Sequence, residues 1–537
     1  MKIVKLPNVV LAIISAVLLW LAWPPSVLFP LIFGAFIPLF LIERNLVNKS
    51  KKRTGWKFFG YVFFAMLIWN ILTTYWIWFA TASAGAEPAS IAAWAFNALF
   101  QSLPWVGYYR IKKRYNLRLG FIAFICFWLC FEWVHFSWEL AWPWLTLGNV
   151  FAKFPELVQW YELTGVSGGT FWILVINILV YKLAFLKIER RRLNQASLGL
   201  LLIIPVALSL IRYSTYKEKG KEITVNVLQP NIDPYLVLDD QVEVMSMTDQ
   251  FVPLALQNSN DSTDYIVFPE GALLTYPWWD NIENDRSVKT LRTIVEQRPN
   301  ATIIVGSDLV MNYGNEKKSV TARFSERGDF YYDVYNAAFQ IKRNEPITFY
   351  GKSKLVPGVE RIPYPQFTSF LSGLAIDLAG AAGSRATQKD RSVFESNSTR
   401  VAPAICYESI FGDYMNEFVK NGADVIFIIT NDGWWKDTPG YKQHFHYARL
   451  RAIENRRSVA RSANTGISGF INQRGDILQR SEWWVEDSMA SSLKTNQKLT
   501  IYTRFGDVFY RVGGLLTVVF ILVSFVNRWT GGFKYRV

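Results

Sequence analysis

Val401-Ala402-Pro403-Ala404-Ile405-Cys406-Tyr407-Glu408 is the stretch from which the rest of the chain can be read. An apolar run bounded by polar residues has the pattern of a buried strand. This one stops on a lone cysteine, and polar residues follow. A reactive side chain there stands at the rim of a sheet, where sites form in α/β folds. Two other places repeat the arrangement. In Val267-Phe268-Pro269-Glu270-Gly271 a carboxylate directly follows an apolar run and a proline. Gly351-Lys352-Ser353-Lys354-Leu355-Val356-Pro357 runs on to Glu360 and offers two lysines. Singly, each has an ordinary explanation: a turn carboxylate, solvated lysines, a small buried thiol. Their conjunction, in this order, is much more specific.

Further Val- and Ile-rich runs surround them, at 223–228, 265–268, 302–305 and 425–429, and helical patterns lie at 410–420 and 442–457. The alternation predicts a layered α/β sandwich spanning 213–511. The polar stretch 386–400 reads as a loop. Its Asn397-Ser398-Thr399 matches a glycosylation acceptor, a pattern too common by chance to carry weight.

The remainder is a different material. Of 537 residues, 51% are hydrophobic, only 19% are charged and 22 are tryptophan, and Trp and Tyr crowd the ends of several long apolar runs, as at Trp76, Trp78, Tyr108 and Tyr109. A bilayer core takes about 20 mostly apolar residues per helix. Such runs occur at 7–23, 26–42, 57–80, 88–109, 119–137, 167–186, 196–212 and 512–527. They predict eight spans, seven in a membrane domain over 1–212 and one in a C-terminal segment over 512–537. Lysines and arginines crowd 44–57, 110–118, 187–192 and both termini, whereas 24–25, 81–87 and 138–166 hold few. Positive loops face the cytoplasm. Both termini are therefore expected inside, with 213–511 on the periplasmic face. The net charge of +14 is then a matter of topology, and nucleic acid is not expected as a partner. Cys126 and Cys130 share one face of an apolar helix and read as packing residues.

The three strand ends together resemble the nitrilase, or carbon–nitrogen hydrolase, superfamily. Asn431-Asp432-Gly433-Trp434-Trp435, His444, the stretch 448–454, Arg457 and the stretch 461–466 extend the likeness over 222 to about 490. The resemblance implies an αββα sandwich and a catalytic triad of Glu270, Lys352 and Cys406. A domain of this kind set between membrane helices is similar to one branch, the apolipoprotein N-acyltransferases. That branch commonly reads L-V-P-F-G-E where this chain has Leu355-Val356-Pro357-Gly358-Val359-Glu360, so its loop backbone is expected to differ around Glu360.

What the likeness implies is a two-step acyl transfer at the bacterial inner membrane. Cys406 attacks a phospholipid ester, at the sn-1 position, and becomes a thioester. The N-terminal amine of a diacylglyceryl-modified apolipoprotein then takes the acyl group. Glu270 is the general base. Lys352, favoured over Lys354 by the carried-over spacing alone, supplies positive charge to the oxyanion, with the Tyr407 backbone N–H as second donor. Glu360 and Glu408 are expected to orient the lysine or shuttle protons, or to be plain structural acceptors. Trp435 leads the candidates for acyl-chain contact, followed by Trp434 and Trp278; local packing is the other reading. No cofactor or metal is expected, including at His444 and His446, and the chain is expected to act as a monomer. A membrane-tethered amidohydrolase acting on a small amide is the rival enzyme. A transporter is the rival non-enzyme, and Glu132 and His135 are the polar span residues it would use.

Overall fold

The computed structural model describes residues 6–49, 53–80, 87–235, 244–364, 384–396 and 399–529. They form two compact units, one from the described residues within 1–75, 90–215 and 505–537, the other from those within 76–89 and 216–504.

The first unit is helical. Among the described residues, six segments are long and apolar enough to cross a membrane: Phe29–Asn48, Thr54–Phe79, Leu117–Ser137, Tyr161–Phe185, Arg191–Thr215 and Val508–Val526. The other two expected spans also fold as helices, Asn8–Ala22 and Glu87–Arg114, but fall outside that set. The first has 15 residues and reaches about 22 Å, short of the bilayer's roughly 30 Å. The second is diluted by Asn97 and Gln101, which bond inside the unit to His135 (2.9 Å) and Asn70 (2.6 Å). The expected span at 26–42 is not one helix. A 3-10 turn, Phe29–Phe33, precedes the helix Ile37–Lys49. Asn177 repairs the break: its Nδ2 donates to the Ile32 carbonyl (2.8 Å) and its Oδ1 accepts from the Phe36 N–H (2.9 Å). Irregular backbone at membrane depth needs this kind of internal partner. Aromatic rings fill the interior. Phe40 alone meets Trp105, Tyr108, Phe121, Phe124 and Tyr181 at 5.0 to 5.5 Å between ring centroids.

Glu132 and His135, the polar span residues, are both buried. Glu132 accepts from Trp128 Nε1 (3.0 Å), Leu147 N (2.9 Å), Thr170 Oγ1 (2.7 Å) and Tyr510 Oη (2.8 Å). Four donors tie the carboxylate to three helices and to the turn at Leu147–Phe151, which is the arrangement of a structural knot.

The second unit contains two sheets. The first is built from β1 (Glu222–Gln229), β2 (Tyr265–Val267), β3 (Thr302–Gly314), β4 (Arg323–Ser325), β5 (Phe330–Ile341), β6 (Thr348–Gly351) and β13 (Asp487–Lys494). Its order is β13-β1-β2-β3-β5-β4, with β6 also paired to β5. The second has β7 (Phe394–Ser396), β8 (Thr399–Ile405), β9 (Val425–Thr430), β10 (Val459–Ala463), β11 (Gly469–Ile471) and β12 (Ile477–Arg480), in the order β12-β11-β10-β9-β8-β7. Strands β1, β2 and β3 are parallel, as are β8, β9 and β10. Val425-Ile-Phe-Ile-Ile-Thr is buried at every residue, as a parallel strand covered on both faces must be.

Helices Val244–Gln257 and Arg286–Gln297 cover the first sheet, packing Phe251, Leu254, Val288, Leu291 and Ile294 against Ile266, Phe268, Ile303 and Phe339. Gly412–Lys420 and Pro439–Asn455 accompany the second. Asp285 caps Arg286–Gln297 by accepting from the Val288 N–H, and Thr438 with Pro439 starts Pro439–Asn455. The sheets meet face to face: Ser462 Oγ donates to the Leu228 carbonyl (2.7 Å) and Tyr265 Oη to that of Ser396 (2.9 Å). This is the αββα sandwich. The expected loop at 386–400 holds strand β7 and the start of β8 instead. Its Asn397-Ser398 lies outside the described residues.

Candidate active site

Glu270, Lys352 and Cys406 each follow the last residue of a strand, or nearly so, and the two sheets bring those ends together. Lys352 comes directly after β6 and Cys406 directly after β8; Glu270 lies three residues past β2. Lys352 Nζ stands 3.0 Å from Glu270 Oε1 and 2.9 Å from Glu360 Oε1. Asn336, on β5, donates through Nδ2 to the same two oxygens at 2.7 and 2.9 Å. The second Glu270 oxygen accepts from the Asn431 N–H at 3.2 Å, just past β9. Burial on its own would lower the Lys352 pKa, but Glu270 and Glu360 outweigh it and hold the ammonium above the ordinary lysine value. Lys354 faces elsewhere, with its Nζ 4.9 Å from the centroid of the Phe411 ring.

The loop to Glu360 departs from the family pattern without losing the carboxylate. Gly358 takes φ +80°, where a Cβ would be strained. The Val359 and Glu360 N–H groups both turn back to the Val356 carbonyl, at 3.3 and 3.0 Å. Glu360 Oε2 in turn accepts from the Val356 N–H (2.8 Å). Arg385 adds a second cation, 3.7 Å from Glu360 Oε1 and 2.8 Å from Asp308 Oδ2. Burial raises the Glu360 pKa, yet Lys352 and Arg385 overcome it and keep the carboxyl ionised.

Cys406 sits on a sharp strand-to-turn elbow. Its φ is +49°, rare for a residue with a side chain, and a short 3-10 turn, Cys406–Ile410, begins there. Burial pushes the thiol well above its usual pKa; the Glu270 charge adds to this and Lys352 opposes it. The resting sulfur is therefore a thiol that needs a base beside it.

Glu408 does not reach the lysine side chain, contrary to one of the two expectations for it. Its Oε1 accepts from Tyr350 Oη (2.7 Å) and the Ser353 N–H (2.8 Å), and its Oε2 from the Ile405 N–H (2.9 Å). Tyr414 also donates to it. Glu408 thus ties the strand end before Cys406 to the loop after Lys352. Tyr407 is buried, with its ring 5.1 Å from Phe411.

The tryptophans are only partly enclosed. Trp435 packs on Trp76 (4.6 Å) and His444 (5.6 Å), Trp434 on Tyr235 (5.5 Å), and Trp278 on Phe330 (5.7 Å) while remaining 41% exposed. His444 is fully buried. Its Nδ1 lies 3.0 Å from Asp432 Oδ1 and its Nε2 faces the backbone carbonyl of Cys406, not the sulfur. Asn336, Arg385 and Asp308 escape sequence reading. Asn336 and Asp308 are mid-strand residues that face each other across β3 and β5, and only the register of that pair reveals them.

Residues 224–497 match the family model described as carbon-nitrogen hydrolase, over half of the chain. The chain belongs to the carbon–nitrogen hydrolase family. Residues 15–179 match a second model, the apolipoprotein N-acyltransferase N-terminal domain, which places the chain in the membrane branch of that family. It is similar to the apolipoprotein N-acyltransferase of Chlorobaculum tepidum, 29% identical with 96% of each chain covered. The same enzyme of Rickettsia prowazekii is 29% identical, with 91% of this chain and 93% of the relative covered. Among solved structures, an amidase of the nitrilase superfamily from Nesterenkonia is 13% identical, with a TM-score of 0.37, covering 55% of this chain and 97% of that one. The chain is an acyltransferase built on the carbon–nitrogen hydrolase sandwich and joined to a helical membrane domain.

Proposed function

We propose that the chain N-acylates the N-terminal diacylglyceryl-cysteine of apolipoproteins, taking the acyl group from a membrane phospholipid through a thioester on Cys406. The observation that carries this is the placement of Lys352 Nζ 3.0 Å from Glu270 and 2.9 Å from Glu360, within electrostatic reach of a thiol on an elbow.

Glu270 takes the thiol proton as sulfur attacks the ester carbonyl. The oxyanion forms against Lys352 and the Tyr407 N–H. Collapse expels the lysophospholipid oxygen, which recovers the proton from Glu270. In the second half the lipoprotein amine attacks the thioester, Glu270 accepts the amine proton, and the amide departs. The thiolate is then reprotonated by Glu270. Glu360 stays ionised beside Lys352 and fixes where its charge points. The partly exposed Trp435, Trp434 and Trp278 offer apolar surface for acyl chains. The cationic loops favour cytoplasmic termini and a sandwich on the periplasmic face of the inner membrane.

The test is single-enzyme transfer from a phospholipid carrying a labelled acyl chain to a synthetic diacylglyceryl-cysteine peptide. The label appears as an amide on the peptide, at a rate lowered at least about a hundredfold in Glu270→Gln. Release of free fatty acid in place of the amide contradicts the reading and favours a hydrolase.

A further inference from the structure

We propose that Ser409 and His444 are positioning residues for the oxyanion: they anchor the Cys406 carbonyl and thereby aim the N–H of Tyr407. This rests on the acyl-enzyme reading above. A peptide unit is planar, and in the trans form its C=O and N–H point in opposite directions. Pro24-Pro25 is the one cis bond among the described residues, so the Cys406–Tyr407 peptide is trans. Whatever fixes its carbonyl fixes the direction of its N–H.

The carbonyl is held from one side. Ser409 Oγ donates to the Cys406 oxygen at 2.7 Å. His444 Nε2 lies 3.2 Å from that oxygen and 3.1 Å from Ser409 Oγ. His444 is itself held from behind. Its Nδ1 is 3.0 Å from Asp432 Oδ1, which also accepts from Thr430 Oγ1 at 2.8 Å, and Asp432 Oδ2 is paired with Arg461. Ser409, His444, Asp432 and Arg461 are all buried to within about one per cent. A dry network of mutually bonded side chains of this kind does not drift. It is built under the one residue of the elbow whose φ, +49°, is strained. A turn held only by its own 3-10 hydrogen bonds would need none of this. An N–H that must meet a negative charge within a few tenths of an ångström does.

Two reactions of the same sulfur separate this role from a merely structural one. Acylation passes through a tetrahedral oxyanion. Alkylation by iodoacetamide is a displacement at saturated carbon, with no oxyanion, and reports only the position and ionisation of the thiol. Both are measured on full-length enzyme in detergent with phospholipid, acylation by intact mass in a single turnover and alkylation by mass of the Cys406 peptide. Ser409→Ala is expected to slow acylation by at least about tenfold while leaving the alkylation rate within about twofold from pH 6 to 9. Ser409→Thr, which keeps the hydroxyl, regains most of the acylation rate. If Ser409→Ala does not fold, His444→Ala shows the same split and His444→Gln, which keeps an N–H donor, recovers it. Equal losses in both reactions overturn the proposal, because the network then merely places the sulfur. Unchanged acylation also overturns it. A wild-type enzyme that is alkylated but never acylated sinks the thioester reading itself, a result distinguishable from either.

Discussion

A buried ammonium costs several kcal/mol unless it is paired. Lys352 is 1% exposed and meets that cost with two carboxylates, whose positions the Asn336 amide nitrogen fixes by donating to both. Removing the charge has two consequences. Lys352→Met is expected to slow thioester formation by about two to three orders of magnitude, measured in single turnover. It also removes the larger of the two contributions that lower the Cys406 pKa, the other being the Thr430 hydrogen bond, so the alkylation of Cys406 shifts to still higher pH. In the wild type the thiol already lies above its ordinary range. The alkylation rate is thus expected to keep rising beyond pH about 8.5 without a plateau. A plateau at neutral pH would mean a stable thiolate and no need for Glu270. Glu270 and Cys406 stand out in the sequence because each follows an apolar run, whereas Lys352 is told from Lys354 only by the spacing to Glu360 that the resemblance carries over. Asn336 and Arg385 have no such mark. They matter only once β5 lies beside β3 and the chain returns at Arg385 to Asp308.

At the scale of elements, the position of Glu270 is set by the strand beside it. Gly306 lies on β3 with its amide bonded to the Pro269 carbonyl at 3.1 Å. A Cβ there would stand 2.6 Å from Glu270 Cα and 2.8 Å from Pro269 O, both backbone atoms that cannot swing aside. Gly306→Ala is expected to cut acyl transfer at least about tenfold through displacement of the base, with the sandwich still folded by circular dichroism. The turn after β9 makes a separate prediction. Burial would raise the Asp432 pKa, but Arg461 and His444 outweigh it and lower it to about 2. A carboxyl depressed on folding stabilises above its unfolded value, about 3.9, and that contribution fades as pH falls toward 2. The gap in thermal midpoint between wild type and Asp432→Asn is accordingly widest above pH 4 and narrows toward pH 2; a gap that widens on acidification contradicts the pairing. Strand cores read well from sequence because central parallel strands are apolar throughout. Edges read poorly. β7 is a three-residue edge strand with Glu395 exposed, and the outer half of β3 mixes polar residues among apolar ones, so neither shows a continuous run.

Across the whole molecule, charge and hydropathy made the two-part plan visible, while helix geometry corrected its details. Asn8–Ala22 is apolar but short, and the expected second span is broken at Phe29–Phe33 because Asn177 can satisfy the open backbone from another helix. No one-dimensional window sees such a partner. The orientation proposed from the cationic loops predicts that a cysteine placed at Asn116 resists a membrane-impermeant maleimide in intact spheroplasts, whereas one at Asp329 reacts; the reverse pattern would invert the topology. The most direct measurement of the central claim is the intact mass of the purified chain after incubation with phospholipid alone. The account predicts a gain equal to one fatty acyl group, located on Cys406, discharged by a diacylglyceryl-cysteine peptide and absent in Cys406→Ala. An unchanged mass in the wild type while the peptide is still acylated, or a gain that persists in Cys406→Ala, would contradict it.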